Sequence, residues 1–270
     1  MSRLLFLSVV ISFASCNQSE PAKQDQPAAE WTMVWQDEFD YTGLPDSSKW
    51  VAEEGGHGWG NNELQYYTRG RLENMRVENG MLTIEAKKEN WEGKEFTSAR
   101  LITRGKADWV YGKIEVRARL PKGRGTWPAI WMLGAKQPLH WPDDGEIDIM
   151  EHVGFRPGYI HASIHTKNYN HILGTQRTDT TIVNDFAENF HNYQLEWTSD
   201  SVIVSIDDQP FFRTANDGGG YEAWPFDNPM FLLLNIAVGG NWGGQQGVDE
   251  NIWPQKMEVD YVRVWQRKKS

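Results

Sequence analysis

The chain has 270 residues, 39% of them apolar and 24% charged, which is enough apolar material for one large core and too much for a disordered chain. A net charge of −10 excludes a nucleic-acid binder, whose phosphate ligand needs a basic patch, and disfavours a strongly anionic substrate, so a neutral ligand fits best. Tryptophan is over-represented at 14 residues; most of these indoles belong to the core or its rim, but the number leaves some to line a ligand surface.

The N-terminus reads as a targeting signal. Arg3 supplies a positive charge, and Leu4 to Phe13 form an apolar run too short to span a bilayer. Cys16, the single cysteine, follows two small residues. The arrangement resembles a bacterial lipoprotein signal, cut before Cys16 and lipidated on it, with Phe13 a departure where that pattern prefers Leu. An ordinary secretory signal is the alternative. Either way the chain is expected to be exported: an outer-membrane or cell-surface lipoprotein of a bacterium, or otherwise a secreted protein. Its contact with the membrane would be the lipid alone. Residues 17–30 are polar, contain proline and show no apolar period, so they read as a tether. A lone cysteine forms no internal disulfide, so the fold rests on its core. The expected organisation is a signal over 1–16, a linker over 17–30 and one domain over 31–270.

From Trp31 onward the pattern is that of strands. "MLTIEAKK" from Met81 and "VYGKIEVRARL" from Val110 alternate with period two, the mark of half-buried strands. "SVIVSIDDQPFFR" reads as a hairpin turning at Asp207, Asp208 and Gln209. "MFLLLNIAVGG" from Met230 is continuously apolar and suits a strand covered on both faces; "KMEVDYVRVWQ" closes the chain as another strand. Helical periodicity is scarce, with at most one turn in "NDFAENFHNY". Many short strands between Gly and Pro turns predict one all-β sandwich or barrel. The loops "EEGGHGWGNNELQYYTRGR" and "NIAVGGNWGGQQGVDENIWP" combine indoles with amides. That chemistry suits a sugar, whose ring face is apolar and whose hydroxyls need polar partners.

Glu146, Asp148 and Glu151 stand out in "WPDDGEIDIMEHVG". In a regular strand Glu146 and Asp148 share a face and Glu151 points the other way. A bulge with Met150 as the extra residue would return Glu151 to their face. Two carboxyls about 5–5.5 Å apart then make a retaining glycosidase, while a wider pair admits a water and inverts. Neighbouring carboxyls cannot all ionise freely, so one keeps its proton and serves as general acid. Chain chemistry alone lets the two glutamates exchange roles. A solvated acidic face and a calcium site are the alternatives; the interleaved Ile147, Ile149 and Met150 favour a strand lining a cleft.

"GEIDIMEHVG" resembles the catalytic signature of glycoside hydrolase family 16 in its bulged form. "GTWPAIWMLG" from Gly125, "LNIAVGGNWGG" from Leu234 and the closing "VDYVRVWQ" are similar to that family, and "GWGNNELQYYT" from Gly58 resembles its endo-β-1,3-glucanase (laminarinase) branch. The resemblance runs in order through nearly all of 31–270. It implies a concanavalin-like β-jelly-roll sandwich of two antiparallel sheets with a concave cleft. It also implies double displacement, with Glu146 as nucleophile, Asp148 as its assistant and Glu151 as acid/base. Substrate contacts implied by it are Asn61, Glu63, Arg100, Trp109, Trp127, Trp131, His165, Asn235 and Trp242. Trp131 could equally be core, and Glu63 could merely brace a loop. His165 and His161 lack the helical spacing of a zinc motif. No organic cofactor is implied. A structural calcium is, held by Glu38, the Gly80 carbonyl and Asp260; the competing reading pairs Asp260 with an Arg or Lys. The expected activity is hydrolysis of β-1,3-glucan by a monomer. Alternatives are a mixed-linkage β-1,3-1,4-glucanase, another polysaccharide hydrolase of the family, a transglycosylase, or a non-catalytic glucan-binding lectin.

Overall fold

The computed structural model describes residues 30–268; the expected signal sequence, Cys16 and all of the expected tether but Glu30 lie outside them. Seventeen strands follow one another. They begin with β1 (Trp31–Asp37), β2 (Val51–Ala52), β3 (Gln65–Tyr67), β4 (Met75–Glu78), β5 (Met81–Trp91) and β6 (Lys94–Ser98). Next come β7 (Arg100–Ile102), β8 (Gly112–Arg119), β9 (Thr126–Gly134), β10 (Glu146–His152), β11 (Tyr159–His165) and β12 (Arg177–Ile182). The last are β13 (His191–Trp197), β14 (Ser201–Ile206), β15 (Gln209–Ala215), β16 (Met230–Val238) and β17 (Gln255–Arg267). There is no helix among the described residues; the segment 184–190 that hinted at one forms only turns.

The strands form two sheets, the jelly-roll sandwich expected. A ten-stranded sheet runs β15-β14-β13-β8-β17-β5-β6-β3, with β1 on β17 and β4 on β5. A seven-stranded sheet runs β12-β11-β10-β9-β16-β7-β2. Pairing is antiparallel except where β3 lies parallel to β6. Alternation does what it implies: along β8, Gly112, Ile114, Val116 and Ala118 are buried while the residues between them are not. In the β14–β15 hairpin Ile206 pairs with Gln209, so the turn is only Asp207–Asp208. Both have positive φ, 49° and 62°, the backbone of a tight two-residue hairpin turn, in which Asp is well tolerated.

The main core fills the space between the sheets. Ile114, Val116, Val262 and Val264 belong to it, as do Ile130, Met132, Ile147, Ile149, Met150, Leu232, Leu234 and Ile236. Each such aliphatic side chain contributes about 1.5–3 kcal/mol by leaving water. β16 is buried at every residue. Its alternate positions Leu232, Leu234 and Ile236 face the core, whereas Phe231 and Leu233 join a satellite cluster with Ile102 and Leu133. Val51, Trp131, Ala135 and Leu139 pack against that cluster. It lies on the outer, concave face of the seven-stranded sheet, beneath residues 135–144.

Candidate active site

The phase break in β10 is real. Opposite β9, Asp148 faces Trp131 and Met150 faces Ile130, so Ile149 has no partner there. Opposite β11, Asp148 faces Ser163 and Glu151 faces His161, leaving Ile149 and Met150 together across from Ala162. The extra residue is therefore Ile149 in the β9 register, one position earlier than the Met150 expected. The reason is packing: Ile149 and Met150 are both fully buried in the core, so two consecutive side chains point inward. Residues directly opposite in an antiparallel pair share a face. Glu146, Asp148 and Glu151 thus share the concave face with Leu133, Trp131 and Ala129 of β9, with Asn235 of β16 and with Arg100 of β7. On the other flank, His165, Ser163 and His161 of β11 share it too.

Indole N–H groups hold the two glutamates. Trp127 Nε1 donates to Glu151 Oε1 at 3.0 Å, and Trp141 Nε1 donates to Glu146 Oε2. Asp148 is buried between them, with His165 Nε2 3.2 Å from its Oδ2 but off the line of a hydrogen bond. Burial chiefly, and then the charge of Asp148, push the Glu146 carboxyl up to about 8. Burial and the charge of Glu146 push Glu151 up to about 7. Burial and the Glu151 charge raise Asp148 well above the usual carboxylate range. The three protons belong to the cluster rather than to single residues. At neutral pH it keeps at least one of them, the condition for an acid and an anion side by side.

The remaining groups are set around this centre. The Arg100 guanidinium lies between the rings of Trp59 and Trp131, 4.8 and 4.7 Å from their centroids, and pairs with Glu53 at 2.6 Å. Trp131 is half-buried on the cleft floor and donates to Asn235 Oδ1 at 2.7 Å. Asn235 in turn donates to the Tyr67 hydroxyl at 3.1 Å. Trp242 packs edge-on to Trp127 at 5.6 Å and to His161 at 5.0 Å. Gly240, with φ of 78°, fits between Asn61, Glu63 and Trp127, where a Cβ would come within 3.0–3.4 Å of all three. The loop of Asn61 and Glu63 therefore closes on the cleft wall. Glu63 itself is buried and acts as a brace: it accepts from Gln65 at 2.6 Å and from Tyr67 at 3.3 Å. Burial raises its carboxyl.

Two groups of expected residues fall elsewhere. Trp109 does not reach the cleft. Its backbone bridges to Met230, and its indole lies in the core, edge-on to Trp35 at 5.6 Å. Burial of so large a ring removes it from any sugar. The expected calcium donors are engaged with other partners. Glu38 takes both nitrogens of the Arg263 fork at 2.8 Å, Asp260 pairs with Arg117, and Gly80 sits in the turn between β4 and β5. Arg263 occupies both Glu38 oxygens and Arg117 one of the two on Asp260, so a calcium ion would have to compete with two guanidinium groups for its ligands. His161 is not paired with His165 as a metal ligand; its Nδ1 bonds Thr180 at 2.9 Å. Among the described residues the one close donor set is Glu146, Asp148 and His165, with donor atoms within 4.8 Å, and it coincides with the acid cluster of β10. Sequence reasoning overlooked Trp59, Glu53 and Trp141. The two indoles stand inside the motifs "GWGNNELQYYT" and "WPDDGEIDIMEHVG", and that proximity was the only signal.

The sequence model for glycosyl hydrolases family 16 matches residues 62–263. The chain belongs to this family. A beta-glucanase of Rhodothermus marinus is 54% identical over 98% of this chain and 94% of its own length. A glucan endo-1,3-beta-glucosidase of Cryptopygus antarcticus is 42% identical over 87% of this chain and 92% of its own. The structure of the laminarinase from Rhodothermus marinus superposes with a TM-score of 0.88 at 55% identity, over 90% of this chain and all of that one. The protein is thus a family-16 glycoside hydrolase, and one face of its seven-stranded sheet carries Glu146, Asp148 and Glu151 together.

Proposed function

We propose that the protein is an endo-acting, retaining β-1,3-glucanase. One observation carries this reading: the bulge at Ile149–Met150 brings three carboxyls to one face of a cleft walled by indoles and amides. The relatives named for β-1,3-glucan and laminarin support the linkage. The Glu146 carboxylate attacks the anomeric carbon while Glu151 gives its proton to the departing glycosidic oxygen. The shifts taken singly would put the proton on Glu146 first, so this division of roles rests on the motif's resemblance to the family, and the reacting form is the one in which the cluster's proton sits on Glu151. Water then attacks the glycosyl–Glu146 ester as Glu151 takes a proton back. Asp148, buried beside Glu146, adjusts the charge of the cluster between the two steps. Trp131, Trp127 and Trp242 offer ring faces to the sugars, and Asn235 and Arg100 offer N–H donors. The chain acts as a monomer, exported and held at a membrane surface through lipid on Cys16. The apolar run from Leu4 and the small residues before Cys16 support the anchor, and Cys16→Ser should move the protein from the membrane to the soluble fraction.

The test is incubation with unbranched β-1,3-glucan and with mixed-linkage β-glucan, products being separated by chromatography and the first-formed anomer read by NMR. Short β-1,3-oligosaccharides released first as the β-anomer support the reading. Inverted products, or release only from the mixed-linkage polymer, would overturn it.

A further inference from the structure

The function proposed above uses mainly one flank of the concave sheet. β9, β16 and β7 lie on that side of β10, and β11 and β12 lie on the other. Residues 166–176 join β11 to β12 and form a buttressed loop. The buried Asn170 side chain donates to the carbonyls of Thr166 and Lys167 at 3.1 Å each and accepts from the Leu173 N–H at 3.0 Å. Thr175 Oγ1 donates to the Asn168 carbonyl at 2.8 Å. A loop so braced keeps its shape, yet its tip presents Ile172 and Leu173 at 71% and 62% exposure, the highest of any large apolar side chain described. The neighbouring His171 packs against Trp141 at 5.2 Å and against His165 at 5.3 Å, and Trp141 bonds Glu146. A chain of contacts thus leads from Glu146 over the β11 flank through Trp141 to His171, and Ile172 and Leu173 follow His171 as the exposed tip of this ledge. Two adjacent apolar side chains held in water on a braced loop beside the cleft are more than the singly scattered ones that any surface carries.

We propose that this ledge is the acceptor side of the cleft, seating the glucosyl units beyond the cleaved bond and any sugar that takes the place of water. The proposal rests on the β-glucanase reading. Continuity with the catalytic carboxylate through Trp141 identifies the occupant as the substrate chain itself. The Arg100 and Asn235 flank offers directional polar groups, suited to the half that stays bound as the glycosyl–enzyme. The ledge offers apolar contact to ring faces, suited to a half that must depart each turnover. In acceptor transfer, a sugar hydroxyl oxygen bonds to the anomeric carbon and its proton passes to the Glu151 carboxylate. The carbon–oxygen bond to Glu146 breaks and leaves its electron pair on that carboxylate.

The experiment follows partition of the glycosyl–enzyme between water and sugar. Wild type and the double variant I172S/L173S are given a short β-1,3-gluco-oligosaccharide as donor and rising β-1,3-linked glucobiose as acceptor. Products are resolved by chromatography and mass. The ratio of transfer to hydrolysis is internal to each mixture, so partial unfolding of a variant cancels. The acceptor concentration giving equal partition should rise on the order of tenfold in the serine variant, the factor expected from losing one aliphatic contact with a ring face. The conservative pair I172L/L173I should restore it. An unchanged ratio in the serine variant, or a wild type whose glycosyl–enzyme no added sugar captures, would overturn the ledge. Failure of the underlying reading shows itself separately, as no oligosaccharide released from β-1,3-glucan by wild type before any acceptor is added, and it takes the ledge with it.

Discussion

Replacing Trp127 by Phe tests the electrostatics of the acid/base directly. The Trp127 N–H, 3.0 Å from Glu151 Oε1, favours the ionised carboxyl and so opposes the burial and the Glu146 charge that push Glu151 up to about 7. Phe keeps a ring for the substrate and removes the donor. A hydrogen bond to a charged group is worth about 1.5 kcal/mol, or roughly one pH unit. Loss of a group that stabilises the anion raises the pKa. The alkaline limb of kcat/KM, which marks the acid losing its proton, should therefore move upward by roughly one unit. The assay is initial release of reducing ends from soluble β-1,3-glucan, from about pH 5 to about pH 9. Weakened stacking alone would lower every point together and leave the limb in place. A stationary or downward-moving limb would refute the pairing of Trp127 with the working acid.

Glu146→Gln should abolish turnover and stabilise the fold at alkaline pH. Because Glu146 rises from 4.5 to about 8 on folding, the unfolded chain sheds this proton first. Wild type then loses stability as pH climbs from about 4.5 to about 8, and a few kcal/mol of that loss vanish in the amide. Thermal unfolding should show a gain of several degrees near pH 8 and none below about pH 4.5; an equal gain at both would assign it to packing. Deleting Ile149 should restore regular alternation with Glu146, Asp148 and Glu151 at i, i+2 and i+4 on one face, so hydrolysis should persist at a reduced rate, and its complete loss in a folded variant would mean that the bulge itself is needed to place the acid. Calcium or a chelator should leave the melting temperature unchanged, since Arg263 and Arg117 occupy Glu38 and Asp260. A calcium-dependent rise of several degrees would show that those pairs open for the ion.

The strands were legible because burial on one face writes period two into the sequence, as along Gly112–Arg119. The bulge was legible as a break in that period, but its position was not, since Ile149 and Met150 are equally apolar and only the register with Ile130 separates them. Trp109 was misplaced because an isolated indole carries no periodicity to say which side it faces; its bridge to Met230 decides. The Arg pairs of Glu38 and Asp260 depend on how β17 registers with β1 and β8, which no local pattern encodes. Trp141 is five residues from Glu146, yet its reach depends on the path of residues 135–144. That path is tied by the buried Asp144, which accepts from the His140 N–H at 2.7 Å and from the Tyr221 hydroxyl, 77 residues away, at 2.7 Å.

The satellite cluster under that segment bears on how the enzyme can be re-engineered. Leu139 and Ala135 rest on Ile102, Leu133, Phe231 and Leu233, side chains supplied by three separate strands. The segment that carries Trp141 to Glu146 is therefore not a detachable module. A transplanted loop lacking these two footings would uncover an apolar floor beside the cleft, so a graft meant to change substrate preference must bring matching residues on β7, β9 and β16 with it.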